Sequence, residues 1–245
     1  MKTVLVSVAC CAGNFVKVFL GSFRKYYPKH PIIFVDSSYK DLPPEPNQFL
    51  LRRDDIIYVY NNAGARTHGA NLDVGLVKAA KLGFELMINV DIDSLFLMPG
   101  VVEACVEGYK EGFKFGGARH IKHYNAPEER ARLEKQGRGC HIHSSFGYYD
   151  VALLRKHSLS FDENVYTGSH NRDTAEQISY TLEELGYEKK ILPIKYIYHF
   201  VAGTIDRDKH KGKYTHKAMA TKQGEARYFS KLNKFFNRKD VKCYL

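Results

Sequence analysis

Strand-like runs that alternate with helix-like ones constrain this chain more than any other feature of its sequence. Thr3–Ala9 is a β-rich run, and after it Phe15, Val16, Phe19, Leu20 and Phe23 recur at helical spacing. Pro31–Val35 is a short apolar strand ending at Asp36, and Ile56–Tyr60 is a third strand. Leu72, Leu76, Val77, Ala79 and Ala80 fit a helix that stops near Gly83, before a fourth strand at Glu85–Val90. Strands joined by helices need crossover connections. The expected class is therefore α/β, a mostly parallel sheet with helices on both faces. Ligands of such sheets bind beyond the carboxyl ends of the strands. Ala9-Cys10-Cys11, Asp36-Ser37-Ser38 and Asp91-Ile92-Asp93 all fall at those ends.

The second half is more mixed. Strands are expected at Phe115–Ala118, Ser145–Tyr149, Lys190–Ile194 and Tyr196–Phe200, with Ser37–Pro46 a loop. Helices are expected at Ala126–Gln136, Val151–His157 and Asp173–Leu185, the last with Gly186 beyond its end. A final helix, Ala226–Phe236, carries Tyr228, Phe229, Leu232, Phe235 and Phe236 on one stripe.

At 245 residues, 44% of them hydrophobic, the chain can bury a sizeable core and is neither disordered nor fibrous in composition. No stretch approaches the roughly 20 apolar residues that span a bilayer. The start lacks a small-residue cleavage site and reads as a first strand rather than a signal peptide. Five cysteines without a C-x-x-C pair argue against a disulfide framework or a structural zinc site. They fit a reducing, cytoplasmic compartment.

The net charge of +10 is uneven. Residues 206–245 hold 12 Lys/Arg against 4 Asp/Glu, and the preceding body holds the other 25 and 23. Such a basic tail fits packing onto its own domain, an anionic membrane surface or nucleic acid such as DNA.

Asp91 and Asp93 follow the apolar run Leu86–Val90. Side chains two apart on an extended segment point the same way, and two carboxylates on one side repel unless a cation sits between them. Mg²⁺ or Mn²⁺ would suit, since hard divalent ions take oxygen ligands and keep positions open for phosphate oxygens. His141-x-His143 fits a pair of polar strand residues, a cleft lining or a metal site. His120 and His123 read as surface loop residues.

The first strand, Asp36-Ser37-Ser38, Ala65–Leu76, the D-x-D pair, Phe146-Gly147-Tyr148-Tyr149 and Phe161-Asp162-Glu163-Asn164 follow one another in an order that Asp173 completes, opening the helix that ends in Leu185-Gly186-Tyr187. Over roughly residues 3–200 this order resembles family 2-type GT-A glycosyltransferases. The resemblance implies a nucleotide-sugar donor, UDP-linked by preference, bound with Mn²⁺ or Mg²⁺. It places Ala9, Cys10 and Asp36 at the nucleoside, Asp36 on its base, and Arg66 on the diphosphate. It places Asp91 at the ribose or metal, Asp93 on the metal, His199 as a further metal ligand, and Asp173 as general base. It implies a glycan or lipid-linked acceptor, and inversion if Asp173 acts opposite the leaving group, whereas a nucleic-acid acceptor is what the basic tail would serve.

From the residues alone, Asp173 also fits a helix-capping acid and His199 a core histidine. Asp73 and Arg172 depart from the family's usual Asn and Glu. The Q-x-x-R-W signature of membrane polysaccharide synthases is missing, which argues against processive synthesis. Residues 1–205 read as the catalytic domain, about 1–100 binding the donor and about 101–205 the acceptor, and residues 206–245 as a basic extension. The competing functions are a sugar-1-phosphate nucleotidyltransferase and a basic nucleic-acid-binding module. The first would want a Gly-rich loop where Ala12-Gly13-Asn14 stands. The second leaves the acidic pair unexplained.

Overall fold

A computed structural model of the chain describes residues 1–9, 12–37, 54–61, 67–119, 141–162, 165, 175–200 and 222–245. Strands β1 (Thr3–Ala9), β2 (Ile32–Asp36), β3 (Ile56–Tyr60) and β4 (Leu86–Val90) run parallel. Beside β4 lie β7 (Ile142–Asp150), β6 (Phe115–Arg119) and β8 (Lys189–Ile191), giving one seven-stranded sheet of order β3-β2-β1-β4-β7-β6-β8. β7 runs antiparallel to both β4 and β6, while β8 is parallel to β6. A second, two-stranded sheet pairs β5 (Ser94–Phe96) with β9 (Ile197–His199).

Burial explains why the first half forms parallel strands. All of β4 is buried, and so is β1 from Val4 onward. A strand covered on both faces wants a continuous apolar run. Successive residues of β1 serve opposite faces: Leu5 and Ala9 join one core, Val4, Val6 and Val8 the other. The first core receives α1 (Asn14–Tyr26) through Phe15, Phe19 and Phe23, and α3 (Val101–Lys110) through Val101 and Cys105. The second receives α2 (His68–Lys81), α4 (Val151–Lys156) and α5 (Glu176–Glu184). The fold class is thus α/β with a mostly parallel sheet and helices on both faces.

The C-terminal helices α6 (Lys222–Phe236) and α7 (Lys239–Lys242) close over the first core. Phe235 is buried, its ring stacked on Tyr198 at 5.7 Å and packed against Phe15 and Phe200. Full burial of such a side chain contributes roughly 1.5–3 kcal/mol. Phe229, Leu232 and Phe236 pack beside it, and Lys231 Nζ donates to the Phe200 carbonyl at 2.8 Å. The apolar stripe of this helix faces its own domain. The side chain of Tyr228 lies outside the described residues.

Three features depart from the sequence expectations. Helix α3 and the short strand β5 were not anticipated after the acidic pair. β7 begins at Ile142, three positions before the expected Ser145. The strand expected at Lys190–Ile194 stops at Ile191, because Pro193 has no N–H for a ladder, and Ile194–Tyr196 forms a 3₁₀ turn leading into β9. The helix expected at Ala126–Gln136 and most of the Ser37–Pro46 loop lie outside the described residues. No helix among the described residues is long and apolar enough to cross a membrane. Of the cysteines, Cys105 is buried and Cys243 exposed, both as free thiols.

Candidate metal centre

The carboxyl ends of β1, β2 and β4 share one edge of the sheet: Ala9 stands opposite Asp36 across the β1–β2 ladder, and β4 pairs β1 in parallel. At this edge Asp91-Ile92-Asp93 is the turn that carries the chain from β4 into β5. Ile92 is buried and anchors the turn. Its backbone is fixed twice, since Asp91 N donates to the Ser145 carbonyl at 3.1 Å and Phe200 N donates to the Asp93 carbonyl at 2.9 Å. The second of these extends the β5–β9 ladder, in which His199 stands opposite Ser94. The small sheet therefore brings a histidine from near residue 200 against acids near residue 90.

His199 Nε2 lies 3.0 Å from Asp93 Oδ1 and 3.4 Å from Asp91 Oδ2. On the other side of Asp91, His68 Nε2 lies 3.1 Å from Oδ1. Asp93 and His199 side chains are 8% and 7% exposed, so their charges are poorly screened. Burial opposes a charged His199, yet Asp93 and then Asp91 outweigh it and push the imidazole up to about 10. Burial likewise opposes ionisation of Asp91, but His68 and His199 hold its carboxyl well below the usual range. The pocket is thus built to hold a positive charge between two carboxylates.

Asp91, Asp93 and His199 each present one ligand atom, and these atoms lie within 4.8 Å of one another. Two carboxylates and one imidazole suit Mn²⁺, or Mg²⁺ through the oxygens, and leave positions for phosphate oxygens. A metal would compete with the His199 proton for the same pocket.

Asp36, expected at the base, accepts a hydrogen bond at Oδ2 from the Tyr58 hydroxyl at 2.6 Å. Burial and this carboxylate push the Tyr58 phenol well up. Ala9 is buried beside it, and its carbonyl accepts from Ser37 N at 2.8 Å. Cys10, Arg66 and Asp173 lie outside the described residues, so the geometry brings together Asp91, Asp93 and His199 from the expected set. Helix α5 is described from Glu176, with Ala175 at its N-cap.

Two further histidines join the site, His68 with no role expected from the sequence and His143 from the H-x-H pair. His68 opens α2, whose N-cap Thr67 accepts from Ala70 N and donates from its hydroxyl to Asp162 Oδ1 at 2.8 Å. A Cβ on Gly69 would lie 2.0 Å from the Phe161 carbonyl oxygen, so glycine lets this helix end approach the 161–162 segment. Asp73, one turn on, accepts from Phe161 N at 2.8 Å and from the Ser160 hydroxyl. Asp162 and Asp73 therefore clamp the helix bearing His68. The second is His143, whose ring centroid is 5.9 Å from that of His199. Its partner in the H-x-H pair goes elsewhere: His141 is buried, 3.7 Å from Glu176. A histidine in the first turn of a helix facing a D-x-D was the available signal for His68. For His143 the H-x-H spacing marked the residue but not its direction.

No protein-family profile matches the sequence, and no curated protein is similar to it in sequence. Solved structures do match. The mannosyltransferase PcManGT from Pyrobaculum calidifontis, in complex with GDP-Man and Mn²⁺, aligns with TM-score 0.56 and 13% identity over 78% of this chain and 55% of its own. S. aureus TarS 1–349 in complex with UDP-GlcNAc aligns with TM-score 0.54 and 14% identity over 81% and 58%. A 4-diphosphocytidyl-2C-methyl-D-erythritol synthase aligns with TM-score 0.52 and 14% identity over 78% and 87%. The chain spans less than two thirds of either transferase. At such identities the likeness is one of fold, and the fold resembles that of GT-A type glycosyltransferases and related nucleotidyltransferases.

Proposed function

We propose that the chain is a metal-dependent glycosyltransferase of the GT-A type. It moves a sugar from a nucleoside-diphosphate sugar, UDP-linked by preference, to an acceptor hydroxyl. The observation that carries this reading is the convergence of Asp91, Asp93 and His199 at the carboxyl edge of the parallel strands. Neighbours of the same fold are described with a nucleotide-sugar, and one of them with Mn²⁺.

Asp93 and His199 would hold the ion, with Asp91 as a third ligand or on the ribose. When bound, such an ion neutralises a diphosphate leaving group. His68 fixes the direction of the Asp91 carboxylate, and β1 and β2 offer Ala9 and Asp36 to the nucleoside. In the reaction, the acceptor oxygen bonds to the anomeric carbon as the bond from that carbon to the diphosphate oxygen breaks. The bonding electrons leave with the nucleoside diphosphate, and the hydroxyl proton passes to a carboxylate base. Asp173 is our candidate for that base and Arg66 for a diphosphate contact. Attack opposite the leaving group inverts the anomeric centre. The acceptor is a glycan, a lipid-linked saccharide or a modified DNA base.

The test is a thermal-shift and hydrolysis panel of UDP-, GDP-, CMP- and dTDP-sugars with and without Mn²⁺. A metal-dependent shift and slow release of one nucleoside diphosphate are expected. Indifference to every donor in both conditions would remove the reading.

A sugar-1-phosphate nucleotidyltransferase is the second reading, favoured by the 87% of the erythritol synthase chain that aligns. Against it, β1 ends at Ala9 and α1 begins at Asn14, so residues 10–13 leave little room for a triphosphate-cradling loop. Release of pyrophosphate from a nucleoside triphosphate and a sugar phosphate would favour this second reading.

A further inference from the structure

We propose that His143 touches the substrate, donating a hydrogen bond from Nε2–H to a phosphate oxygen of a diphosphate held at Asp91, Asp93 and His199. This rests on the metal-centre reading above and adds a residue and a protonation state to it.

The backbone sets the residue apart first. Along the β6–β7 ladder Gly117 lies opposite Gly147, so an unbroken register would set Arg119 opposite Ser145. Arg119 instead lies opposite Ile142, a three-residue shift of register within which His143 falls. Bulges re-aim side chains and are frequent beside binding sites. Among the nine residues of β7, His143 is the one that is not buried.

The ring is then fixed by its own strand. Ser145 N donates to His143 Nδ1 at 3.0 Å, and the Ser145 hydroxyl lies 2.6 Å from the same nitrogen. A ring nitrogen that accepts an amide proton carries none itself, so the proton of the neutral ring sits on Nε2. That nitrogen is then a donor. It is neither a metal ligand nor a general base. Ser145 also accepts from Asp91 N through its carbonyl, so one residue sets both the acid's backbone and the imidazole's tautomer. With the ring centroid 5.9 Å from that of His199, a ligand seated on the carboxylates comes within reach of this donor. A neutral donor held in place beside the carboxylates would favour the charge that develops on a leaving diphosphate.

The experiment uses the full chain and two probes, Mn²⁺ alone and Mn²⁺ with micromolar pyrophosphate, followed by calorimetry. Three variants separate the two ring nitrogens. His143→Gln keeps a donor near the Nε2 position, His143→Asn keeps an amide near Nδ1 alone, and His143→Phe keeps only shape. Mn²⁺ affinity should stay within about twofold in all three. Pyrophosphate binding should weaken about tenfold in the Phe and Asn variants and largely recover in the Gln variant, as expected for one bond to an anion. Circular dichroism checks folding, and if the Phe variant does not fold, the Asn and Gln pair decides alone. A fall in Mn²⁺ affinity would make His143 a metal ligand and overturn the proposal. So would unchanged pyrophosphate binding in every variant, which leaves the metal centre standing. Should the unaltered chain bind no Mn²⁺, the metal-centre reading falls first and this proposal with it.

Discussion

The two edges of the central sheet both gather ionisable side chains and treat them in opposite ways. At the amino-terminal edge charges are neutralised by fixed neighbours. Arg24 reaches Asp55 at 2.7 Å and donates to the carbonyls of Tyr27 and His30. The Tyr27 hydroxyl donates to Glu103 at 2.7 Å and accepts from Gly100 N. His30 packs edge-on against Phe23, and burial, then the Arg24 charge, push its imidazole down to about 4. At the carboxyl edge, Asp91 and Asp93 instead pool their charge around the imidazoles of His68 and His199. Charges that tie backbone ends together serve the fold, whereas charges concentrated beyond what the backbone needs mark a ligand site. Substitutions at the first edge should therefore change stability and spare metal binding, and those at the second should do the reverse.

The largest effect is expected at the structural edge. Arg24→Met removes a largely buried ion pair and two carbonyl contacts while keeping the stem's bulk. It leaves Asp55 without its cation, and about 3 kcal/mol of unfolding free energy should be lost. Urea denaturation measures this, and Mn²⁺ affinity should not move. Next comes pH. His30 is neutral in the fold with its pKa depressed from 6.5 to about 4, so its stabilising effect is complete above pH 6.5. As pH falls through that window the unfolded chain takes up the proton first, and stability drops by up to about 3 kcal/mol. His30→Gln should flatten this part of the stability profile, and an unchanged slope would show that other groups set it.

At the carboxyl edge, Asp93→Asn should weaken Mn²⁺ binding by on the order of a hundredfold or more, exceeding the roughly 10–100-fold cost of a lost supporting contact. The unfolding midpoint without metal should fall less than in Arg24→Met, because Asp91 still stands 3.4 Å from His199 Nε2 and carboxylate repulsion is relieved. A large loss of stability with Mn²⁺ affinity intact would reverse the roles assigned to the two edges.

What the sequence makes legible follows the same division. The parallel half could be read because each interior strand is a continuous apolar run, as in Leu86–Val90, and because its ends carry Asp36 and Asp91. Asp91 and Asp93 are neighbours in sequence and face one pocket for local reasons. His199 reaches them through β5–β9 pairing, which the three-residue strand Ser94–Phe96 is too short to announce. His68 and His143 depend on a helix clamped by Asp73 and Asp162 and on a slipped ladder, both products of contacts distant in sequence. Propensity and periodicity carry no such information.

The smallest effect concerns His68, which stands where the helix end meets the pooled acids. Its Nε2 fixes Asp91 Oδ1, so His68→Ala should lower Mn²⁺ affinity about tenfold, as lost support of a metal ligand does. A contrary force exists, because removing an imidazole close to a cation can also relieve repulsion. The side chain is 32% exposed, so water screens that repulsion, whereas its Nε2 lies only 3.1 Å from Asp91 Oδ1, too close for solvent to weaken the attraction as much. The loss should therefore win, and His68→Gln, which keeps a donor near the Nε2 position, should restore most of the affinity. Tighter Mn²⁺ binding in His68→Ala would mean that His68 serves as a competing charge, and Asp91 would then need another support for its orientation.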